Sequence, residues 1–229
     1  MKTKSIRSIF SIMVAASAVA LLSAPAQAQS EQQELVAKAA ATFNHFQRDP
    51  NLKWFRSNIG QARAILIAPE IVKAGFILGG SGGRAVLLAR DPHSGEWRGP
   101  AFYSLFTPSV GLQAGVAVSE VVTLVMTEKA LNGLLSTSLK LGGDVSIAAG
   151  PVGEGAGSNV QADMIAYVRS KGIYGGVSLE GGAVKISDEW NEAFYNQPEV
   201  LPPDILIRGT AVSPHGDRLR ELLTAATKQ

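Results

Sequence analysis

The residues of this chain that could do chemistry lie in one glycine-rich block, Gly79-Gly80-Ser81-Gly82-Gly83. The block matches the G-x-S-x-G pattern, in which a sharp turn presents a nucleophilic serine. With Arg84 after it, the block also fits a loop that cradles phosphate. Residues that could complete a catalytic triad follow in the chain order of α/β-hydrolases: Asp144, Asp188 or Asp204, and then His215.

The segments around the block favour a structural role for the block over a catalytic one. A nucleophile elbow needs a strand that turns sharply into a helix, whereas residues 84–89 have no helical alternation and end at Asp91-Pro92. No H-G-G-G-type segment is present to form an oxyanion hole, and Pro214-His215-Gly216 is typical of a turn. We therefore predict that the protein is not an enzyme and that Ser81 lies in a glycine turn between two strands. A serine hydrolase is the alternative.

Other catalytic and cofactor sites lack their characteristic residues. The glycine block is not followed by G-K-[ST], so the sequence contains no P-loop. The three histidines, His45, His93 and His215, are each more than forty residues apart, and there is no cysteine. Without local ligand pairs, we predict neither a metal nor a cofactor.

The first 28 residues have the three parts of a secretory signal. Lys2, Lys4 and Arg7 precede an apolar stretch at 9–22, and Ala26-Gln27-Ala28 supplies the small residues of a cleavage site. We predict cleavage near Ala28 and a periplasmic or secreted protein. The alternative, an uncleaved anchor, is weaker because an apolar span of about 20 residues is needed to cross a bilayer. The absence of cysteine excludes disulfides and an acylated-cysteine anchor.

Removing that segment leaves a single predicted domain, residues 29–229, and changes the net charge from +2 to −1. The overall charge therefore gives no reason to expect nucleic acid as a partner. The distribution is uneven, because residues 50–98 carry seven cations and three anions and include the glycine block. Such a region attracts phosphate-bearing partners such as lipid headgroups. A solvated basic face is the alternative.

The periodicity of apolar residues predicts an α+β domain. Residues 31–48 have the pattern of an amphipathic helix that ends before Asp49-Pro50, and a second short helix is expected at 50–59. The charges of the first helix cancel, so we expect it to dock on its own domain instead of inserting into a membrane. Short apolar runs with glycine and proline turns then predict an antiparallel β-rich sheet or partial barrel. Thr127 is expected to cap a short helix, and 217–228 to form a C-terminal helix.

Short motifs occur in a fixed order between Trp54 and Ile207, which is most of the chain after the signal. They include A-I-L-I-A-P at 64–69, G-G-S-G-G-R at 79–84, W-R-G-P-A-F-Y at 97–103, L-K-L-G-G-D at 139–144, A-G-P-V-G at 149–153 and G-G-V-S-L-E-G at 175–181. In this order they resemble the SYLF domain family, of the type found in yeast actin-patch proteins, here as a secreted bacterial member.

The resemblance implies binding of phospholipid or another anionic amphiphile, peripherally at a membrane surface. This chain has Ala85 where a glycine is common and Arg98 where a serine is common. We therefore do not extend to it the phosphoinositide or actin specificity of eukaryotic members. A structural envelope protein without a lipid ligand is a further alternative.

The predicted lipid site combines three groups beside the glycine segments. Cationic side chains would approach an anionic headgroup: Lys73, Arg84, Lys140 and Lys171. Phe76 and Trp97 would contact acyl chains. Backbone N–H groups would approach the phosphate at Gly79, Gly80, Gly82 and Gly83. Solvated rim residues are the alternative for the cations.

Overall fold

The computed structural model describes residues 30–75, 78–110, 115–153, 160–170, 173–174 and 181–228. Residues from Glu31 onward form one compact unit. The predicted signal at 1–28 lies outside the described residues. Helices at both ends of the unit flank a largely antiparallel sheet, so the predicted α+β class is confirmed.

Four of the described α-helices begin and end close to where the sequence predicts, and the helix at 188–195 was not predicted. Helix α1 covers Glu31–Arg48, and α2 covers Lys53–Asn58 with a 3-10 turn at Ile59–Gln61. Three more α-helices follow: α3 at Glu128–Leu134, α4 at Asp188–Tyr195 and α5 at Asp217–Ala226. Shorter turns lie at Asp204–Arg208, a π-helix, and Pro214–Gly216, a 3-10 helix.

Helix α3 begins where the predicted cap lies. The hydroxyl of Thr127 accepts a hydrogen bond from the backbone N–H of Ala130 at 3.2 Å, which satisfies one of the free N–H groups of the first turn. Helix α1 docks on the sheet with its apolar stripe, in which Ala39, Phe43 and Phe46 have no exposed surface. This confirms the prediction, made from its cancelling charges, that α1 docks on its own domain.

Nine strands form the sheet in the part of the chain that the structure describes. They are β1 Ala64–Gly75, β2 Leu78–Arg90, β3 Trp97–Val110, β4 Gly115–Val125, β5 Ser138–Lys140, β6 Ile147–Ala149, β7 Met164–Ser170, β8 Ile173–Tyr174 and β9 Ala183–Ile186. Eight lie in the order β5-β9-β3-β2-β1-β4-β7-β6, and β8 pairs with β7. Only the β6–β7 pair is parallel among the described pairs.

The glycine block is part of a strand, and the prediction of a glycine turn is wrong. Strand β2 runs through the whole block, with Ser81 opposite Lys73 on β1 and opposite Thr107 on β3. The chain reverses earlier, since Gly75 at the end of β1 faces Gly79 on β2. Glycine is frequent in turns, but it also occurs in strands where a neighbour comes too close for a side chain.

The sheet has an apolar core on each face. On one face, which we call the helix face, side chains such as Ile65, Val86 and Phe102 pack against α1, α2, α4 and α5. On the opposite face, Leu66, Leu87 and Tyr103 pack against α3 and the segment around Ile205. Because alternate residues of a strand point to alternate faces, each strand contributes to both cores.

Candidate functional site

The helices do not cover the whole helix face. Six apolar residues are exposed at the end of the sheet where β1 and β3 end and β2 and β4 begin. They form two adjacent rows, which we call the apolar ledge: Val72, Phe106 and Val118, then Ala74, Pro108 and Val116. Phe106 is 59% and Val116 is 71% exposed. A contiguous exposed apolar patch of this kind is a common mark of an interaction surface.

Two glycines of the block form the floor of the ledge. Gly82 lies between Val72 and Phe106 in one row, and Gly80 lies between Ala74 and Pro108 in the next. The ring of Phe106 lies over both, because a Cβ built at Gly80 would be 3.3 Å from its Cε2 and one at Gly82 would be 4.0 Å from its Cδ2. The glycines therefore leave a shallow surface on which an aromatic ring can lie flat.

A polar row borders the ledge on the side of the helices. Successive strands from β9 to β7 contribute Lys185, Ser104, Arg84, Glu70, Glu120 and Arg169 to it. At one end, Arg169 donates to Glu120 through Nε at 2.7 Å and through Nη2, and the hydroxyl of Thr42 on α1 donates to the same carboxylate at 3.0 Å. These bonds tie α1 to β4 and β7.

Electrostatics keeps Glu120 ionised. Its burial alone raises the pKa, but the hydrogen bonds from Arg169 and Thr42 outweigh that effect and leave the pKa below its usual value. The imidazole Nδ1 of His45 lies 2.9 Å from Nη2 of Arg169 and 3.4 Å from Oε1 of Glu120.

Arg84, at the middle of the polar row, stacks on an aromatic ring. Its guanidinium carbon lies 3.9 Å from the centre of the Trp190 ring on α4. Its Nη1 is 3.5 Å from the hydroxyl of Ser187, which in turn lies 2.9 Å from the hydroxyl of Ser104. A cation over an aromatic face is stabilised by the ring quadrupole, so Arg84 has a defined position although it is exposed.

A groove of about 430 Å³ lies between α1, the polar row and Trp190. Its charged lining comes from Glu31, Glu34 and Lys38 on α1 and from Glu70 and Arg84 on the sheet. Val72 and Gly82 also line it, so the groove opens directly onto the apolar ledge.

The structure separates the cations that the sequence placed together. Arg84 lies on the helix face beside the ledge, whereas the half-buried side chain of Lys73 shares the opposite face with Ser81 and Thr107. Lys140 is opposite Ala183, which is opposite Phe106, so Lys140 continues the first row of the ledge and is exposed. Arg84 and Lys140 therefore border the ledge, and Lys73 does not.

The remaining predicted side chains have different surroundings. Trp97 is 3% exposed and belongs to the core of the helix face, so its ring is not available to an acyl chain at the surface. Its indole N–H is buried without a partner among the described residues. Phe76 and Lys171 lie outside the described residues.

The predicted approach of phosphate to the glycine backbone does not fit a central strand. Gly79, Gly80, Gly82 and Gly83 are paired with β1 on one side and β3 on the other. In an antiparallel ladder the N–H and C=O groups of a central strand bond to its neighbours, so these N–H groups are occupied. The glycines contribute to the site because they have no side chains and so form the floor of the ledge.

The hydrolase geometry is also missing. Ser81 is 6% exposed and lies on the face of the sheet opposite the helix face. His215 contacts Phe194, a core residue of the helix face, with ring centres 6.3 Å apart. The sheet therefore separates the serine from the histidine.

Neither a three-residue metal-ligand group nor a membrane-spanning helix is found in the part of the chain that the structure describes. No group of three His, Cys, Asp or Glu side chains there could hold a metal ion. No helix there combines the length and apolarity needed to cross a membrane.

Several residues of this surface were not predicted from the sequence, chiefly Phe106, Val116, Val118, Lys185 and Trp190. The alternation of Val116 and Val118 is a readable strand signal, but it does not indicate which face of the sheet stays uncovered. That depends on where α1 lies.

These features define an α+β domain whose antiparallel sheet carries an exposed apolar surface bordered by charges. A family model, Ysc84, described as "Las17-binding protein actin regulator", matches residues 106–226. The chain belongs to this family, which is that of the SYLF domain, and the resemblance noted in the sequence is confirmed.

Individual relatives agree with this assignment. The chain is 31% identical over 176 residues to human SH3 domain-containing YSC84-like protein 1, a match that covers 75% of this chain and 51% of the relative. It is 32% identical over 160 residues to Protein YSC84 of Saccharomyces cerevisiae, covering 67% and 34% respectively. The chain thus spans about half the length, or less, of the curated relatives it matches. These relatives are not named as enzymes.

Proposed function

We propose that this domain binds phospholipid at a membrane surface, without catalysis, through the apolar ledge and the cations beside it. The observation that carries the proposal is the ledge itself, six exposed apolar residues on a glycine floor at one end of the sheet. Arg84, Lys140 and Lys185 border it on the side of β2, β9 and β5.

The energies of these groups suit peripheral binding. Burial of an exposed Phe or Val side chain contributes about 1.5–3 kcal/mol when complete, so partial burial of the ledge in the interface contributes several kcal/mol. Each Lys or Arg near an anionic surface adds about 1 kcal/mol. The structure has both groups on one surface.

The location of this activity follows from the predicted signal at 1–28, which would export the domain to the periplasm or the exterior. The family description refers to Las17 binding and actin regulation, and one yeast relative is named LAS seventeen-binding protein 3. Those partners belong to proteins that are longer than this chain. An assay with purified lipid and protein isolates lipid binding from any protein partner.

Vesicle co-sedimentation of residues 29–229 tests the proposal. Vesicles of phosphatidylcholine alone and of phosphatidylcholine with phosphatidylglycerol are compared at low and high salt. Phe106→Asp should weaken binding by about tenfold or more, because it places a charge where the bound membrane would bury an apolar side chain. Val212→Asp is the matched control, since Val212 is 69% exposed and outside the ledge.

The cations are tested in the same assay. The double variant Lys140→Gln and Lys185→Gln should weaken binding to the anionic vesicles at low salt and have little effect at high salt. Lys129→Gln, on the helix that packs on the opposite face, is the control. Absence of binding to either vesicle, or equal effects of Phe106→Asp and Val212→Asp, would contradict the proposed function and favour a structural envelope protein.

A further inference from the structure

The groove beside the ledge carries charges of both signs, and its balance argues against a purely anionic ligand. Three acids and two bases line it. Lys38 pairs with Glu34 at 2.8 Å, and this hydrogen-bonded partner raises the pKa of Lys38, so these two charges cancel. Glu31, Glu70 and Arg84 are left, with a net charge of −1 at neutral pH.

Glu70 and Arg84 are placed to hold two opposite charges of one ligand. They face each other directly on β1 and β2, where Cβ atoms are about 5 Å apart. Arg84 is nevertheless held against Trp190 and Ser187, and no ion pair joins it to Glu70. Among the described residues, Glu70 forms no direct ion pair. Its charge contributes to raising the pKa of Lys38, but the ammonium of Lys38 pairs with Glu34 at 2.8 Å. The groove therefore offers an acceptor and a donor that do not neutralise each other.

We propose that this groove binds the headgroup of a phospholipid that carries a primary ammonium, of the phosphoethanolamine class. The ammonium lies at the Glu70 carboxylate, and the phosphate lies at the Arg84 guanidinium. The glycerol and acyl chains leave over Val72 and Gly82, which belong to both the groove and the ledge. This assignment rests on the proposed function and adds the headgroup class to it.

The same residues explain why a primary ammonium is preferred over a quaternary one. Quaternary ammonium groups are recognised by open aromatic faces. The aromatic ring of this groove is Trp190, and Arg84 already covers it at 3.9 Å. A carboxylate such as Glu70 accepts hydrogen bonds from a primary ammonium but receives none from trimethylammonium.

Vesicles of three compositions test the headgroup class with residues 29–229: phosphatidylcholine alone, and phosphatidylcholine mixed with phosphatidylethanolamine or with phosphatidylglycerol. Wild type should bind the phosphatidylethanolamine mixture about fivefold or more tightly than phosphatidylcholine alone. Glu70→Gln should abolish that preference, because it removes the carboxylate that would hold the ammonium. Glu128→Gln, another exposed acid, should keep the preference.

A soluble probe separates the headgroup from the bilayer. Glycerophosphoethanolamine should shift the amide NMR signals of Glu70 and Arg84, and the shifts should be lost in Glu70→Gln. Glycerophosphocholine and inorganic phosphate should produce much smaller shifts at the same concentration.

The outcomes distinguish this proposal from the proposed function. Failure of wild type to bind any vesicle overturns the proposed function. Equal binding to phosphatidylcholine with and without phosphatidylethanolamine, or a preference for phosphatidylethanolamine that survives Glu70→Gln, leaves membrane binding intact and overturns the headgroup assignment. A response to inorganic phosphate as large as that to glycerophosphoethanolamine also overturns it, because the site would then be a simple anion site.

Discussion

Gly83 lies directly against the backbone carbonyl of Glu70. A Cβ at position 83 would be 2.1 Å from that oxygen, far closer than van der Waals contact allows. The register of β1 against β2 shifts between Ile67 and Glu70, so the close approach occurs at an irregularity of the ladder. This contact explains why the last glycine of the block cannot carry a side chain. Glu70 itself is paired with Arg84, the residue after Gly83.

Gly83→Ala should therefore destabilise the domain by about 1–3 kcal/mol, because the backbone of β1 or β2 must shift to admit the methyl group. Gly80→Ala is the control from the same block. Its Cβ would meet the exposed and movable ring of Phe106 at 3.3 Å, and the stability should change by about 0.5 kcal/mol or less. Urea unfolding of both variants measures the difference. Equal losses of stability would contradict the role given to the Glu70 carbonyl.

Glu120→Ala should destabilise the domain by about 2 kcal/mol or more, since it leaves the guanidinium of Arg169 and the hydroxyl of Thr42 without their shared acceptor. Both members of the Glu120–Arg169 pair are less than a quarter exposed. Glu128→Ala removes an exposed ion pair with Arg63 and should cost about 0.5 kcal/mol or less. Urea unfolding at neutral pH checks both. A Glu120 variant as stable as the Glu128 variant would show that the pair does not fasten α1 to the sheet.

Asp163 should make stability depend on acid pH. The backbone N–H and hydroxyl of Ser146 and the hydroxyl of Thr127 donate to its carboxylate, and these bonds lower its pKa from 3.8 to about 2. Because the folded pKa is below the unfolded one, the stabilisation is complete above about pH 4 and is lost as the pH falls towards 2. Asp163→Asn should cost about 1–2 kcal/mol near pH 6 and progressively less below pH 4.

Urea unfolding of wild type and Asp163→Asn across this range measures that dependence. A difference between the two proteins that is constant from about pH 6 to about pH 2.5 would show that the carboxylate does not have its low folded pKa.

Ser81→Ala should leave any background ester hydrolysis unchanged, because the hydroxyl is buried in β2 on the face away from His215. His215→Ala should behave in the same way. Turnover of a p-nitrophenyl ester by purified variants measures this. A parallel loss of about tenfold or more in both variants would restore the hydrolase interpretation.

Much of the fold could be predicted from residue patterns because these patterns reflect interactions between residues close in sequence. The helical period of α1, its end before Asp49-Pro50 and the cap at Thr127 are properties of neighbouring residues, and all three are present in the structure. The glycine block was misread because glycine has no side chain whose alternation could reveal a strand. The structural role of the block depends on Phe106 and Glu70, which approach its glycines from neighbouring strands.

The candidate site could be predicted only in part for the same reason. The sequence located Arg84 and Lys140 near glycine segments. Whether Lys73 belongs to the same site depends on the face of the sheet on which its side chain lies, and strand register sets that face. Residue patterns were enough to identify the family, the α+β class and the excess of cations in residues 50–98. Residue patterns could not show that α1 covers one part of the helix face and leaves the ledge bare. That boundary is set by long-range packing and by the contacts of Glu120 with Thr42 and Arg169.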